Sequence, residues 1–242
     1  MGGRFLLYNS EMIEIVDLSQ EIFTGMSVFP GLPEVEITLH ASHEVQDGIL
    51  DSEVVSPAVN RLTLSEHTGT HVDAFNHMAR QYRGKSIDTM PLTMFYTAGI
   101  CLDLSTKGLR DLIEVADLVR ALSAAALEIE QGDTVLLYTD HYRRAFGTDD
   151  WQQGPGISAE AARWLGRQKI AAFGVETAAP GVRHVSNKQV HHVCGELGMT
   201  HYENLINLHM LSGRGRFRFI GLPLKIRGGT GSPVRAIAVF DP

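Results

Sequence analysis

Residues 66–77 of the chain read Glu-His-Thr-Gly-Thr-His-Val-Asp-Ala-Phe-Asn-His, and they hold three of the protein's eleven histidines together with an aspartate. Residues 60–65, directly before them, alternate apolar and polar side chains, which predicts a half-buried strand. The threonines, glycine and valine that follow are poor helix formers. We therefore expect the extended conformation to continue to Asp73.

In such a strand successive side chains point to opposite faces, so His67, Gly69, His71 and Asp73 would share one face. Gly69 would leave space for an ion between the imidazoles. Two imidazoles and a carboxylate that converge on one point suit Zn²⁺, Mn²⁺ or Fe²⁺. The alternative is a set of unrelated polar residues at the end of a strand. The metal site is favoured because His67, His71 and Asp73 would all share one strand face.

The composition excludes several other classes of function. The chain has 242 residues, of which 44% are hydrophobic, enough for one domain that spans residues 1–242. Its formal net charge is −7 and no run of Lys or Arg exceeds a pair, so we expect no nucleic-acid partner. Residues 5–8 are too few for a signal peptide, and no stretch approaches a membrane span. Cys101 and Cys194 form no disulfide framework, which favours a cytoplasmic protein with reduced thiols.

The hydrophobic pattern predicts a mixed α/β fold. His141 follows one predicted strand, and because arginines flank it we expect a solvated surface residue. Ser158 is predicted to cap the second helix. The predicted strands cover residues 12–19, 35–39, 98–104, 134–138, 170–175, 217–220 and 234–239, and the predicted helices cover residues 114–127 and 159–168.

The stretch from His67 to His77 resembles the H-x-G-T-H-x-D-x-P-x-H signature of the cyclase family of metal-dependent hydrolases, which includes bacterial kynurenine formamidases and isatin hydrolases. Phe75 stands where the signature has proline. Phenylalanine cannot be a ligand, so this departure leaves the metal prediction unchanged. The resemblance implies an α/β fold with a mixed, barrel-like central sheet of the swivelling β/β/α type and flanking helices. It also implies assembly as a homodimer or homotetramer.

The resemblance supplies a second half of the metal site. In the family a Val-His pair precedes a Glu-Asn-Leu segment, and His191 and Glu203 reproduce the spacing of twelve residues. His192 is the competing histidine, and His201 is interpreted as a neighbour rather than a ligand. By resemblance, one ion would lie between His67, His71 and Asp73, and a second between Asp73, His191 and Glu203. The predicted cofactor is Zn²⁺ or Mn²⁺, with one or two ions per subunit.

Three further residues take roles from the same resemblance. His77 is not needed as a ligand and would shuttle protons, for which the usual pKa of an imidazole is well suited. Phe29 matches an aromatic residue that contacts substrate in kynurenine formamidases, and together with Phe75 it predicts a pocket for a flat, apolar ring. Glu176 stands where the family has an aspartate.

These residues predict a metal-dependent hydrolase that cleaves a C–N bond of a small aryl amide. The first expectation is a kynurenine formamidase-like reaction, from N-formylkynurenine to kynurenine and formate. An isatin hydrolase-like opening of a cyclic amide or lactone is the second. A non-catalytic metal-binding scaffold is the alternative from a different class, and the presence of His77 beside the ligands argues against it.

Overall fold

The fold is built on one large sheet that carries the candidate ligands. The structure, a computed structural model, describes residues 13–50 and 56–240. In these residues nine strands form a mixed sheet that curls into a half-barrel, with helices packed against it. The predicted fold class is therefore confirmed. Among the helices of the described ranges, none combines the length and the apolar character that crossing a bilayer requires.

The strands are β1 Glu14–Asp17, β2 Glu36–Ala41, β3 Val59–Thr63, β4 His71–Asp73, β5 Tyr96–Asp103, β6 Leu112–Ile113, β7 Thr134–Tyr138, β8 Gly156–Ile157, β9 Ala172–Val175, β10 Thr200–Glu203, β11 Phe217–Ile220, β12 Gly231–Pro233 and β13 Ile237–Phe240. The helices are α1 His43–Leu50, α2 Phe75–Met78, α3 Val115–Ala125, α4 His141–Ala145, α5 Ala159–Arg167 and α6 Asn187–Leu197. Short 3₁₀ helices cover Arg80–Tyr82, Ile87–Thr89, Leu92–Met94, Asp149–Gln153 and Leu208–Met210.

The order of strands in the large sheet is β1-β13-β11-β5-β7-β9-β10-β4-β12. Strands β5, β7, β9 and β10 run parallel to their neighbours in that series, and the remaining pairs are antiparallel. Every residue of β7 and β9 is buried, as expected of parallel strands that are covered on both faces. Strands β2 and β3 form a separate two-stranded antiparallel sheet, and β6 pairs with β8.

Two helices predicted from apolar spacing are confirmed within a few residues. Helix α3 begins after Glu114, which forms a capping box with Asp117. The hydroxyl of Ser158 accepts the amide proton of Ala161 at 3.1 Å and caps α5 as predicted. The sequence did not predict α6 or β10. Met12, the first residue of the first predicted strand, lies outside the described residues.

The continuous strand predicted through His67 is wrong. Strand β3 ends at Thr63, and the chain turns before β4 begins at His71. The amide of Ser65 donates to the Thr68 hydroxyl at 3.0 Å, and such local side-chain bonds compete with a strand ladder. Gly69 has a φ of +59°, a left-handed conformation that favours glycine. Gly69 therefore forms the turn rather than a gap in a strand face.

His141 was predicted at the surface, but the structure buries it next to Glu176. The Nε2 of His141 donates to the carbonyl of Trp151 at 3.0 Å, and the two rings stack. The Oε2 of Glu176, which follows β9, accepts the amide and the hydroxyl of Thr139 at 2.7 and 2.9 Å and the amide of His141 at 3.3 Å. Glu176 thus ties the end of β7 to the end of β9. Burial raises its pKa to about 7 despite these donors.

This raised pKa predicts how stability depends on pH. Between the usual value of 4.5 and about 7, the folded protein holds a proton on Glu176 that the unfolded chain has released. The contribution of Glu176 to folding stability therefore falls as the pH rises through this window. The difference between the pKa values of Glu176 in the folded and unfolded states corresponds to a loss of folding stability of about 3 kcal/mol at most. A Glu176→Gln variant cannot ionise, so its stability relative to the unsubstituted protein should improve from pH 5 to pH 8.

Urea unfolding at several pH values measures this effect directly. The control is Glu128→Gln, which removes an exposed carboxylate and should leave the pH profile unchanged. If the free energy of unfolding depended on pH in the same way in the Glu176→Gln variant and the unsubstituted protein, the carboxyl group of Glu176 would be shown to titrate normally.

Candidate metal centre

Two antiparallel neighbours, β4 and β10, form the floor of the site. His71 and Asp73 are two residues apart on β4, so their side chains point to the same face. His201 and Glu203 have the same relation on β10, and Glu203 pairs with His71 in the register of the two strands. All four side chains are buried, and Asp73 is only 1% exposed. The two strands therefore bring four ligand-type side chains together.

Two further histidines arrive from outside the strands. His67 reaches Asp73 from the turn before β4, with its Nδ1 2.8 Å from Oδ1 of Asp73. Gly231 on β12 lies against that ring, where a Cβ atom would be 2.8 Å from Cε1 of His67. His191 extends from α6, and its Nε2 lies 3.4 Å from Oδ2 of Asp73. The structure thus brings the five sequence-predicted ligands together, with the other four grouped about Asp73.

Asp73 is the centre of this arrangement. Five imidazoles surround its carboxylate, with nitrogen–oxygen distances of 2.8 Å for His67, 3.6 Å for His71, 3.6 Å for His77, 3.4 Å for His191 and 3.1 Å for His201. Both oxygens of Asp73 are buried, yet among the described residues none of the nearby donors is aligned to form a hydrogen bond with them. Buried polar atoms are normally satisfied. A cation bound between these oxygens and the imidazole nitrogens around them would satisfy the carboxylate.

Three of the histidines are oriented by their second ring nitrogen. Nδ1 of His71 donates to the carbonyl of Gly69 at 2.8 Å, and Nδ1 of His191 donates to the carbonyl of Asn187 at 2.8 Å. These bonds leave Nε2 of each ring facing the cluster as an electron-pair donor. Metal-binding histidines in proteins are commonly fixed in this way.

His67 is oriented through a longer chain of contacts. The hydroxyl of Thr230 donates to Oε2 of Glu66 at 2.6 Å, so its oxygen is free to accept from Nε2 of His67 at 3.0 Å. The amide of Thr230 also donates to Glu66 at 2.9 Å, which holds the loop before β12 in place. Nδ1 of His67 is therefore the nitrogen directed at Asp73.

The ligand atoms fall into two groups that share Asp73. One group contains His67, His71 and Asp73, and the other contains Asp73, His191, His201 and Glu203; within each, the ligand atoms lie within 4.8 Å of one another. The mixture of imidazole nitrogens and carboxylate oxygens fits a divalent ion such as Zn²⁺ or Mn²⁺.

His201 was interpreted from the sequence as a neighbour, but the structure places it inside the second group. It is fully buried, and its Nε2 lies 3.1 Å from Asp73 and 3.3 Å from Glu203. The signal in the sequence was its position two residues before Glu203, which puts both side chains on one face of a strand. The competing choice, His192, is not part of either group.

The electrostatics of the cluster favour positive charge. Burial raises the pKa of Asp73, but His201, His191 and His67 outweigh it and leave that pKa well below its usual value. Burial lowers the pKa of His201, yet Asp73 reverses this and raises it well above the usual value. For His71, burial dominates and lowers the pKa. An ionised Asp73 is the carboxylate state that binds a cation, and a cation bound there would take the place of the proton on His201.

His77 differs from the other histidines in its exposure. It lies on α2 with 38% of its side chain exposed, and its Nε2 is 3.6 Å from Oδ2 of Asp73. Burial of its inner part, together with the charges of His67 and His191, lowers its pKa. A neutral imidazole at the mouth of the cluster can accept a proton and return it.

A pocket of about 280 Å³ opens above the cluster. Its lining residues outside the cluster include Phe29, Leu32, Ala178 and Ala179. Phe75, predicted to contact substrate, lies in the hydrophobic core instead; it is 8% exposed and does not line this pocket. Phe75 is the first residue of α2, a position where proline is also favoured because its amide needs no helical hydrogen-bond partner.

Comparisons with known proteins agree with this geometry. A model of the family described as Cyclase matches residues 16–182. The kynurenine formamidase of Salinibacter ruber is 27% identical over 224 residues, which cover 92% of this chain and 96% of that protein. The isatin hydrolase of Roseibium aggregatum is 29% identical over 222 residues, which cover 86% of this chain and 81% of that protein.

The same similarity holds in three dimensions. The structure of isatin hydrolase A from Labrenzia aggregata bound to benzyl benzoate matches with a TM-score of 0.81 at 25% identity, covering 95% of this chain and 94% of that one. The resemblance drawn from residues 67–77 is thereby confirmed, and the chain belongs to the cyclase family.

Proposed function

We propose that this protein is a metal-dependent hydrolase that cleaves the C–N bond of a small aryl amide, as a kynurenine formamidase cleaves N-formylkynurenine to kynurenine and formate. The observation that carries this proposal is the position of His77. It lies beside a complete set of metal-ligand side chains, at the floor of a pocket that has an aromatic wall. A non-catalytic metal-binding scaffold would have no use for a partly exposed proton-transfer group there.

The residues of the chain divide the chemistry between them. A divalent ion held at Asp73 would polarise a carbonyl group and lower the pKa of a water molecule. Asp73 and Glu203 supply the negative charge that holds such a cation, while the imidazoles supply nitrogen ligands. Phe29 offers its face to an aromatic ring. His77 protonates the departing nitrogen, because an anilide anion is a very poor leaving group.

We propose Zn²⁺ or Mn²⁺ as the metal, bound as one or two ions per subunit. Two groups of ligands that share Asp73 support two ions. We also propose a homodimer or homotetramer, and the exposed Leu39 and Leu62 on the two-stranded β2–β3 sheet support burial of that sheet in an assembly. Cys101 and Cys194 are free and buried, which agrees with the proposed cytoplasmic location.

A second candidate reaction is the hydrolytic opening of a cyclic amide or lactone, as in an isatin hydrolase. The apolar wall formed by Phe29 and Leu32 favours it, since a flat bicyclic ring fits such a wall. The two reactions use the same ligands and the same proton transfer, and they differ in the group that lies in the pocket.

The substrate class is tested by supplying N-formylkynurenine and isatin to the same protein loaded with Zn²⁺ or Mn²⁺. We expect measurable hydrolysis of at least one, with loss of activity on chelation and recovery when the ion is returned. An Asp73→Asn control should be inactive with both. If neither compound is hydrolysed by metal-loaded protein, the aryl-amide assignment fails.

The role of His77 is tested by separating its effect on chemistry from its effect on metal binding. A His77→Ala variant should retain its metal and lose on the order of 10² to 10⁴ in the rate of amide hydrolysis. The loss should be smaller for an aryl ester, whose phenolate leaves without protonation.

The measurements are metal content by elemental analysis and the amide-to-ester rate ratio. His192→Ala is the matched control, since it removes a histidine of the same region that lies outside both ligand groups. Loss of metal in the His77→Ala variant would make His77 a ligand. Retained metal with an unchanged rate ratio would refute the proton-transfer role.

A further inference from the structure

A second pocket lies next to the candidate active site and is lined by basic side chains. It has a volume of about 340 Å³, and Arg183, His184 and Lys188 contribute to its wall. Among its described lining residues none is acidic. The chain as a whole carries a formal net charge of −7, so the positive charge of this pocket is opposite in sign to that of the whole protein.

The basic pocket adjoins the candidate active site. Phe29 and Asn187 line both cavities. The carbonyl of Asn187 accepts from Nδ1 of His191 at 2.8 Å, so the basic pocket begins one helical turn from a metal-cluster histidine. One turn of α-helix is about 5.4 Å. The far end of a small aryl amide whose reacting end lies at the cluster would therefore be directed past Phe29 and Asn187 towards the basic pocket.

Arg183 lines the basic pocket and contacts Phe29, which lines both cavities. Its guanidinium carbon lies 5.5 Å from the centroid of the Phe29 ring, a cation–π contact that restrains the side chain. Among the described residues, no carboxylate lies within 4.0 Å of the charged groups of Arg183 or Lys188. Other arginines of the chain do have such partners, including Arg163 with Glu196 and Arg214 with Glu14.

We propose that this basic pocket binds a carboxylate on the far end of the substrate, with Arg183 as the principal contact and Lys188 as an additional positive charge. The guanidinium fork matches a carboxylate in a bidentate geometry. The inference rests on the proposed function and narrows its substrate to aryl amides that carry a carboxylate group. N-formylkynurenine carries such a carboxylate on its amino-acid end, whereas isatin has none.

The test compares N-formylkynurenine with N-formylkynuramine, which is the same molecule without the carboxylate. The unsubstituted, metal-loaded protein should prefer N-formylkynurenine. Arg183→Met should lower kcat/KM for N-formylkynurenine by roughly 10- to 100-fold, mainly through KM, and should change kcat/KM for N-formylkynuramine by less than about 3-fold. Arg183→Lys keeps the charge but not the fork, so it should fall between the two.

Arg120→Met is the matched control, because it removes one exposed arginine from α3. It should leave both substrates unaffected. Equal losses for the two substrates in Arg183→Met, or no preference for N-formylkynurenine in the unsubstituted protein, would overturn the carboxylate site while leaving the hydrolase function intact.

A binding measurement separates this proposal from the function on which it rests. Calorimetric titration of the 242-residue protein with kynurenine and with kynuramine needs no turnover. We expect kynurenine to bind more tightly, and Arg183→Met to abolish the difference. If neither amide is hydrolysed but this difference is observed, the hydrolase assignment fails and the carboxylate site stands. If kynurenine and kynuramine bind equally well to the unsubstituted protein, the carboxylate site is refuted whatever the activity.

Discussion

The structure depends on one buried, ionised carboxylate. Transfer of a carboxylate from water into a protein interior costs of the order of several kcal/mol unless charges or hydrogen bonds compensate. Asp73 receives this compensation from five imidazoles, while its side-chain oxygens have no aligned hydrogen bond among the described residues. Its backbone carbonyl, by contrast, is bound by the Thr200 hydroxyl at 2.5 Å. The main chain of Asp73 is thus fixed and its side-chain oxygens are directed at ligands.

The surrounding elements can be understood as supports for this carboxylate. Strands β4 and β10 supply the rigid floor, and a turn, a helix and the loop before β12 direct the remaining rings. Glu66 acts at the greatest distance, since it reaches the cluster only through Thr230 and His67. Outer contacts of this kind fix the ring orientation and the tautomer of a metal ligand. A site built in this way is preorganised, which is what both metal affinity and catalysis require.

The sequence predicted those parts of the site that are encoded locally. His71 and Asp73 were placed on one strand face by alternation, and the structure agrees. The same rule failed at His67 because side-chain hydrogen bonds and the left-handed Gly69 end the strand before it. His201 was undervalued because β10 was not recognised, and a strand of four residues gives little periodic signal.

The local pattern of apolar and polar residues could not predict contacts between distant parts of the chain. His191 and Glu203 came from the family resemblance, since nothing in their own spacing fixes their distance from Asp73. Phe75 was assigned to the pocket by analogy, but its place in the core depends on how α2 packs. The basic pocket follows from the approach of Arg183 to Phe29, a contact between loops about 150 residues apart that no local rule predicts.

The central claim is that the Asp73 cluster binds a divalent metal ion. Anomalous X-ray diffraction at the zinc or manganese edge, on crystals of metal-loaded protein and of its Asp73→Asn variant, locates such an ion directly. We expect an anomalous peak at about 2.0 to 2.2 Å from a carboxylate oxygen of Asp73, within bonding distance of histidine nitrogens, and a strongly reduced peak in the variant. Metal-loaded crystals without a peak at Asp73, or with an undiminished peak in the variant, would contradict this account.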